Sequence, residues 1–280
     1  MVDQFGHFKV LDRLGGDAVE VYRARDTRAG RTVALKVLPV DLDPAECENL
    51  LQRARAVSRL SHPNIAALYE IGDDGGPFLV YEFVPGQPLS TLVAGGPLNP
   101  RRAVDVATQM ADALAEAHAA GIAHGAITTD AVIVTPKGPA KILDFGLTAW
   151  TNGHGPSTSA SAAEDRADIE ALGAILFEML TGHAATSGPL TPSAANRSVP
   201  RELDPIVMKA FGRSADNRYD SAVMMAADLR TVAVALEQRS STAAPSPVIT
   251  GRPKRSPALW AAVALFLCAL AAAAAWWLLR

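Results

Sequence analysis

The hydrophobic period of this sequence changes at Gly86, and that change limits the folds open to it. Before Gly86 the apolar residues mostly alternate. "HFKVLDRL" runs into Gly15 and Gly16 and is followed by "AVEVYRA" and "RTVALKVL", the two-residue period of strands. In the last segment Ala34, Lys36 and Leu38 share one face, and Val33, Leu35 and Val37 share the other. A helix is expected over Pro44 to Arg59, with further strands near Ala66 to Ile71 and Pro77 to Phe83. After Gly86 the spacing is helical. Pro100 to Ala119 carries Val104, Ala107, Ala111 and Leu114 on one stripe. Helices are also expected over about Glu164 to Leu180, Glu202 to Phe211 and Ser221 to Leu236. Two short strands, Val132 to Val134 and Ala140 to Leu143, flank the turn "TPKGP". A strand-rich small lobe followed by a helix-rich large lobe is an α+β architecture.

The C-terminal end has a different character. Ala258 to Leu279 contains no charged residue, and as a helix at ~1.5 Å per residue it reaches roughly 33 Å, enough to cross a bilayer. Trp260 lies near one end and Trp276 and Trp277 near the other, where aromatic rings favour the interface. Arg252, Lys254 and Arg255 precede the run and only Arg280 follows it, which places the preceding domain in the cytoplasm. A single-pass tail anchor in the cell membrane is therefore expected. Gln238 to Pro257, rich in Ser, Thr, Pro and Ala, reads as a flexible tether. Residues 5–237 remain as one globular unit, with the small lobe over about 5–84 and the large lobe over about 85–237. The start, "MVDQFGHFKV", has no long apolar run after basic residues, so no signal peptide is expected. A net charge of -3 gives no bulk attraction to nucleic acid. The two cysteines, Cys47 and Cys268, lie in unlike surroundings, so a disulfide framework is not expected.

Six segments in this order resemble the eukaryotic-type serine/threonine protein kinases of bacteria, over residues 5–237. "TVALKVL" is similar to the lysine strand of the small lobe. "LSHPNIAALYEIG" is similar to the turn after its single helix. "FLVYEFVPGQPL" is similar to the hinge, with Tyr81 as gatekeeper and Glu82 to Val84 facing adenine. "KILDFGL" is similar to the metal-binding turn. "DRADIEALGAILFEMLTG" is similar to the buried helix of the large lobe, and "ELDPIVMKAFGRSADNRYDSAVMMAADLR" to its last helices. The resemblance implies a bilobal kinase fold, with ATP and Mg²⁺ as the ligands such a cleft takes. It also implies Gly15, Gly16, Val21, Ala34, Lys36, Glu82, Val84, Ile133 and Asp144 as nucleotide-binding positions, with Asp144 as a metal ligand.

Against the same pattern, several reactive groups are missing. From His124 the chain reads H-G-A-I-T-T-D-A, where the family has H-R-D-L-K-x-x-N. Ala126 stands at the position of the general base, Thr128 at that of the phosphate-binding lysine and Ala131 at that of the second metal ligand. Alanine neither accepts a proton nor binds a cation, and loss of a general base alone typically costs ~10²–10⁴ in rate. No catalytic residue is therefore expected. Asp130 adjoins the vacated position; the reading favours a solvated or helix-capping carboxylate over a replacement ligand. Counting back from His62-Pro63-Asn64, the glutamate that should orient Lys36 falls on Arg53, with Glu48 and then Glu46 as upstream alternatives. In the phosphate-covering loop "LGGDAVEVY" the third glycine position is Val19, and Asp17 and Glu20 add negative charge. Only 24 positions separate Asp144 from Asp168, so the activation segment is short. Its terminal glutamate is absent, and Arg218 lacks the partner the family would supply. Ser157, Thr158, Ser159 and Ser161 in this segment are candidates for phosphorylation by another kinase.

Retained positions have packing roles in the family. His124 and Phe145 stack with a residue of the small-lobe helix, here Val57, and Asp168 supports the catalytic-loop backbone. The expected function is a membrane-anchored pseudokinase that scaffolds or regulates serine/threonine phosphorylation. Its expected partners are an active kinase or a second copy through the small lobe. The alternatives are a weak ATP-dependent serine/threonine kinase and an ATP sensor without turnover.

Overall fold

Strand alternation in the first third of the chain builds one antiparallel sheet in the order β1-β2-β3-β4-β6-β5. Its strands are β1 (Gln4–Phe5), β2 (Phe8–Gly15), β3 (Glu20–Asp26), β4 (Arg31–Val37), β5 (Leu68–Gly72) and β6 (Phe78–Glu82). A single helix, α1 (Pro44–Val57), interrupts them between β4 and β5. The computed structural model describes residues 4–16, 19–38, 44–74, 76–145, 162–185, 190–212 and 217–242. The chain divides into a unit of Met1–Gln238 and a second of Arg239–Arg280.

The period-two pattern of β4 sorts its side chains between two cores. Val33 and Leu35 are buried with Phe5, Phe8, Ala24, Phe78 and Val80 in a satellite cluster, with Val37 packed against it. Phe78 meets Phe5 and Phe8 edge-on, with ring centroids 6.0 and 5.9 Å apart, an arrangement that pairs ring edge with ring face. The opposite face, with Ala34, Leu38, Leu79 and Tyr81, joins the main core. A slip of one residue would exchange these two faces, so the pairing of Ala34 with Tyr81 and of Lys36 with Leu79 is strongly specified.

The large lobe is helical around one central element. Its helices are α2 (Leu89–Ala94), α3 (Pro100–Ala119), α4 (Ala162–Thr181), α5 (Pro192–Ala195), α6 (Asp204–Ala210) and α7 (Ala222–Thr242). The Asn99 side chain accepts from Arg101 N–H at 3.0 Å, and Pro100 occupies the first turn of α3, where a missing N–H costs nothing. Val104, Ala107, Ala111 and Leu114 are all buried, as their spacing predicts. Helix α4 buries Ile169, Leu172, Ile175, Leu176, Met179 and Leu180, most of its circumference, as expected of a helix surrounded by protein. A small sheet of β7 (Gln87–Pro88), β8 (Val132–Val134) and β9 (Ala140–Ile142) joins the lobes.

Several boundaries differ from expectation. The helix expected over Glu202 to Phe211 is split into a 3₁₀ turn, Arg201–Leu203, and α6. Pro205 has no N–H to bond back to Arg201, so the first turn tightens before the α-helix begins. Helix α7 runs past Leu236 to Thr242, into the segment expected as a flexible tether, since no glycine or proline occurs there before Pro245. The short strands β1 and β7 and the helix α5 are too brief to show a period in the sequence. Among the described residues no helix is long and apolar enough to cross a membrane. The expected span, 258–279, lies outside them, as does the rest of the tether.

Between α4 and α6 the packing leaves no room for a side chain at Gly173. A Cβ there would lie 2.4 Å from the Cβ of Ala210. Gly173→Ala is therefore expected to destabilise the chain by about 1–3 kcal/mol through overpacking, measured by urea denaturation. Ala210→Gly in the same chain should recover part of the loss. No recovery would place the clash elsewhere.

Candidate functional site

A cavity of about 420 Å³ lies where the inner face of the small-lobe sheet meets β8 and the end of β9. All nine positions expected at a nucleotide site line it: Gly15 and Gly16 from β2 and its turn, Val21, Ala34 and Lys36 from β3 and β4, Glu82 and Val84 from the hinge, and Ile133 and Asp144 from below. The gatekeeper Tyr81 also lines it. Leu14, Ala66, Phe83, Gly86, Pro88 and Leu143 complete the wall. Ala66 and Leu143 reach it because Ile65 bridges Ile142 in parallel, a pairing between segments far apart in sequence that no local pattern signals. At Gly86 a Cβ would lie 2.4 Å from the carbonyl oxygen of Val134, so only glycine lets the hinge approach β8 this closely.

The lobes are fastened beside this cavity by Asn64. Its side-chain amide donates to Ala140 O at 2.7 Å and to Gln109 Oε1 at 2.8 Å. The same Gln109 oxygen accepts from Ala140 N–H at 2.8 Å. Backbone bonds from Ile142 N–H to Asn64 O and from Ala66 N–H to Ile142 O extend the join. Glu82 takes Lys141 as partner at 2.8 Å.

Inside the cavity Lys36 donates to the carboxylate of Asp144, forming an ion pair with side chains 15% and 23% exposed. Asp144 holds a left-handed backbone, φ +63°, which Asp tolerates better than most residues. The glutamate that would otherwise pair with Lys36 is missing from the described part of α1. Arg53, at that position, is half-buried; burial lowers its pKa and the Glu164 carboxylate of α4 pulls it back up. Glu48 is exposed and accepts from Gln52 at 3.4 Å. The side chain of Glu46 lies outside the described residues, as does Asp17. Val19, at the third glycine position, is buried in the main core. Glu20 is bound at the surface by the Tyr22 hydroxyl at 2.9 Å.

The catalytic loop is held by a buried carboxylate. Asp168, 1% exposed, accepts from His124 N–H at 2.7 Å, from Gly125 N–H at 2.9 Å and from His118 Nε2 at 2.9 Å. A carboxylate only accepts, so His118 carries its proton on Nε2. His124 donates from Nε2 to Leu143 O at 2.9 Å, and its Nδ1 faces Ala126 N–H at 3.4 Å. That is the neutral tautomer. Burial lowers the His124 pKa, against the raising effect of Asp168. Its ring meets Phe145 edge-on, with centroids 5.0 Å apart, and Val57 is buried in the same core.

The reactive positions carry methyl groups. Ala131 is buried, and its carbonyl accepts from Leu143 N–H. Asp130, in the 3₁₀ turn Thr129–Ala131, is exposed; it accepts from Ser90 Oγ at 2.5 Å and does not line the cavity. Its charge raises the pKa of Glu178, after burial itself. Of the groups the resemblance assigns to a magnesium nucleotide, Lys36 and Asp144 are present and paired with each other, and Ala131 stands at the second metal position. Arg218 Nε is buried without a partner among the described residues. The four hydroxyl candidates of the activation segment lie outside them.

Residues 8–217 match the protein kinase domain family. The chain is 32% identical over 254 residues to the serine/threonine-protein kinase PknB of Mycolicibacterium smegmatis, covering 76% of this chain and 41% of that protein. It is 33% identical over 261 residues to the serine/threonine-protein kinase PrkC of Bacillus subtilis, covering 81% and 40%. The chain thus spans about two-fifths of the length of these relatives. The crystal structure of a point mutant of the Mycobacterium tuberculosis PknI kinase domain superposes with a TM-score of 0.66 at 22% identity, covering 81% of this chain and 96% of that one.

Two outcomes are expected from this geometry. Asp168→Asn replaces an acceptor oxygen with a donor opposite backbone N–H groups, so it should cost about 2–3 kcal/mol, read as a lower urea midpoint. His124 has a folded pKa below its unfolded value, so unfolding takes up a proton. Its contribution to stability is complete above about pH 6.5 and falls as pH drops toward the depressed folded value. Histidine NMR of the folded protein should show the His124 ring titrating with a midpoint below that of an unperturbed histidine; a midpoint above the unperturbed value would contradict this.

Proposed function

The chain belongs to the protein kinase domain family, and on that premise we propose that it is a catalytically impaired member, a kinase-like module that scaffolds or regulates serine/threonine phosphorylation signalling. The observation that carries this is the catalytic loop. Ala126 and Ala131 occupy the positions of the proton acceptor and the second metal ligand, and the one nearby carboxylate, Asp130, is bonded to Ser90 at the surface. Phosphoryl transfer depends on positioned charge and a positioned acceptor for the hydroxyl proton. The support for the loop survives through Asp168, so a rigid partner-binding domain persists without those reactive groups.

A membrane location rests on the apolar run Ala258 to Leu279 and its basic flank, with the kinase-like domain on the cytoplasmic side. Tethering there raises the effective concentration of the domain toward other membrane kinases and their substrates. Its partner is an active kinase or a second copy of this chain, engaged through the small lobe. The retained cavity favours a second reading, ligand sensing without turnover.

The full chain in detergent micelles, given labelled ATP, magnesium and a generic protein acceptor, should transfer no more label than Asp144→Ala does. Transfer that disappears in Asp144→Ala, with circular dichroism unchanged, would establish a weak kinase and overturn this function.

A further inference from the structure

A second cavity, of about 840 Å³, shares no lining residue with the one between the lobes. Helix α5 and the turn after it form one side; the 3₁₀ turn Arg201–Leu203 and Asp204 of α6 form the other. The backbone here is braced. Asn196 donates from Nδ2 to Leu180 O at 2.7 Å, at the end of α4, and its Oδ1 accepts from Ser198 N–H at 3.0 Å and Ser198 Oγ at 2.7 Å. Val199 and Leu203 are buried. Arg197 and Arg201 are therefore carried by a fixed frame, which lowers the ordering cost of any ligand they meet.

The charges in this cavity are unbalanced. Its ionisable lining residues are Arg197, Arg201 and Asp204. Asp204 is already satisfied by Ser193, which donates from N–H at 2.8 Å and from Oγ at 2.5 Å. Arg23, Arg31 and Arg230 each meet a carboxylate, Asp12, Asp26 and Asp112 respectively. Arg197 and Arg201 are exposed and meet none among the described residues. The neighbouring Glu202 has a partner of its own and does not line the cavity. Thr191 makes no capping bond with its side chain, so its hydroxyl remains as a donor. Two like charges lining one cavity repel, and a dianion between them relieves that repulsion. Guanidinium groups bind phosphate oxygens through paired N–H donors, with a geometry that a point charge lacks.

The volume decides what carries the anion. Cavities of this size enclose ligands much larger than one phosphate, and Ala194 and Val199 offer apolar contact to flanking groups. A bilayer surface is flat and meets protruding residues, whereas a concavity admits a chain. We propose that this cavity binds a phosphorylated serine or threonine segment of a partner protein, with Arg197 and Arg201 holding the phosphate and Thr191 donating to it. Such a group carries about −1.5 to −2 charge and three acceptor oxygens at neutral pH. The inference rests on the regulatory reading above and names a partner by its chemistry, since serine/threonine phosphorylation leaves this dianion on the proteins such a module meets.

Fluorescence anisotropy on the full chain in neutral detergent micelles tests it. The probes are a dye-labelled degenerate peptide library with a fixed central phosphoserine and the same library with serine. The phosphorylated library should bind at least about tenfold more tightly. Arg197→Ala and Arg201→Ala should each weaken it about tenfold. Arg201→Lys, which keeps the charge and loses the fork, should weaken it by less. Arg28→Ala, at an exposed position between β3 and β4, should leave it unchanged, which separates a site from general attraction to cations. Unliganded melting temperatures should match in all four variants, because these side chains are exposed. Equal binding of the two libraries, or unaltered affinity in both alanine variants of Arg197 and Arg201, would overturn the proposal. Inorganic phosphate bound as tightly as the library would make this a free-ion site and overturn it. Phosphatidylserine vesicles that slow hydrogen exchange over residues 191–204, with no binding of the library, would assign the cations to a membrane and also overturn it. Absent binding together with absent transfer of label would sink this inference and leave the impaired-kinase function standing. Transfer of label together with selective binding would do the reverse.

Discussion

A buried carboxylate organises the centre of the large lobe. Asp168 has three donors aimed at it, two from the backbone of the loop after α3 and one from His118. Charge-assisted bonds of this kind are about twice as strong as neutral ones, and a buried charge of this sort is tolerated only when so satisfied. Because the loop is held through N–H groups of His124 and Gly125, its path does not depend on the side chains that follow. Ala126 and Ala131 are therefore accommodated without costing the fold.

The second constraint is the join between lobes. Asn64 spans from the small lobe to α3 and β9, and its two amide bonds are partnered by groups that are themselves bonded. Its burial is close to complete, so losing either partner would strand a polar atom. This clamp aligns Ala66 with Leu143 and closes the rear of the cavity. It also brings Lys36 and Asp144, from different lobes, within bonding distance. The ion pair engages the two charged side chains that the resemblance assigns to a phosphate and a metal.

Much of this is legible from residue order. The alternation in β4 places Ala34 and Lys36 on the cavity side and Val33 and Leu35 away from it, because the strand period is two residues. The α3 stripe is equally plain, since a long helix repeats its apolar face many times. The break at Pro205 and the run of α7 to Thr242 depart from the sequence reading because there a local feature acts without a period. Gln109 and His118 give no sign of their importance in the sequence, and Asn64 enters it only as part of a matched turn, with nothing to show what it holds. Single polar residues in helices and turns carry no pattern, and their meaning comes from partners dozens of positions away.

Residue order by itself determined the fold class, the lobes and the chemical poverty of the catalytic loop, because whether a side chain has an oxygen to offer is a covalent fact of its own position. Tertiary structure alone decided how the remaining charges are used. Asp130 is turned to Ser90, Arg53 is answered by Glu164, and Lys36 is neutralised by Asp144 at a separation of 108 residues. Coulomb energy depends on distance in space and on burial, and neither is written in the spacing of residues along the chain.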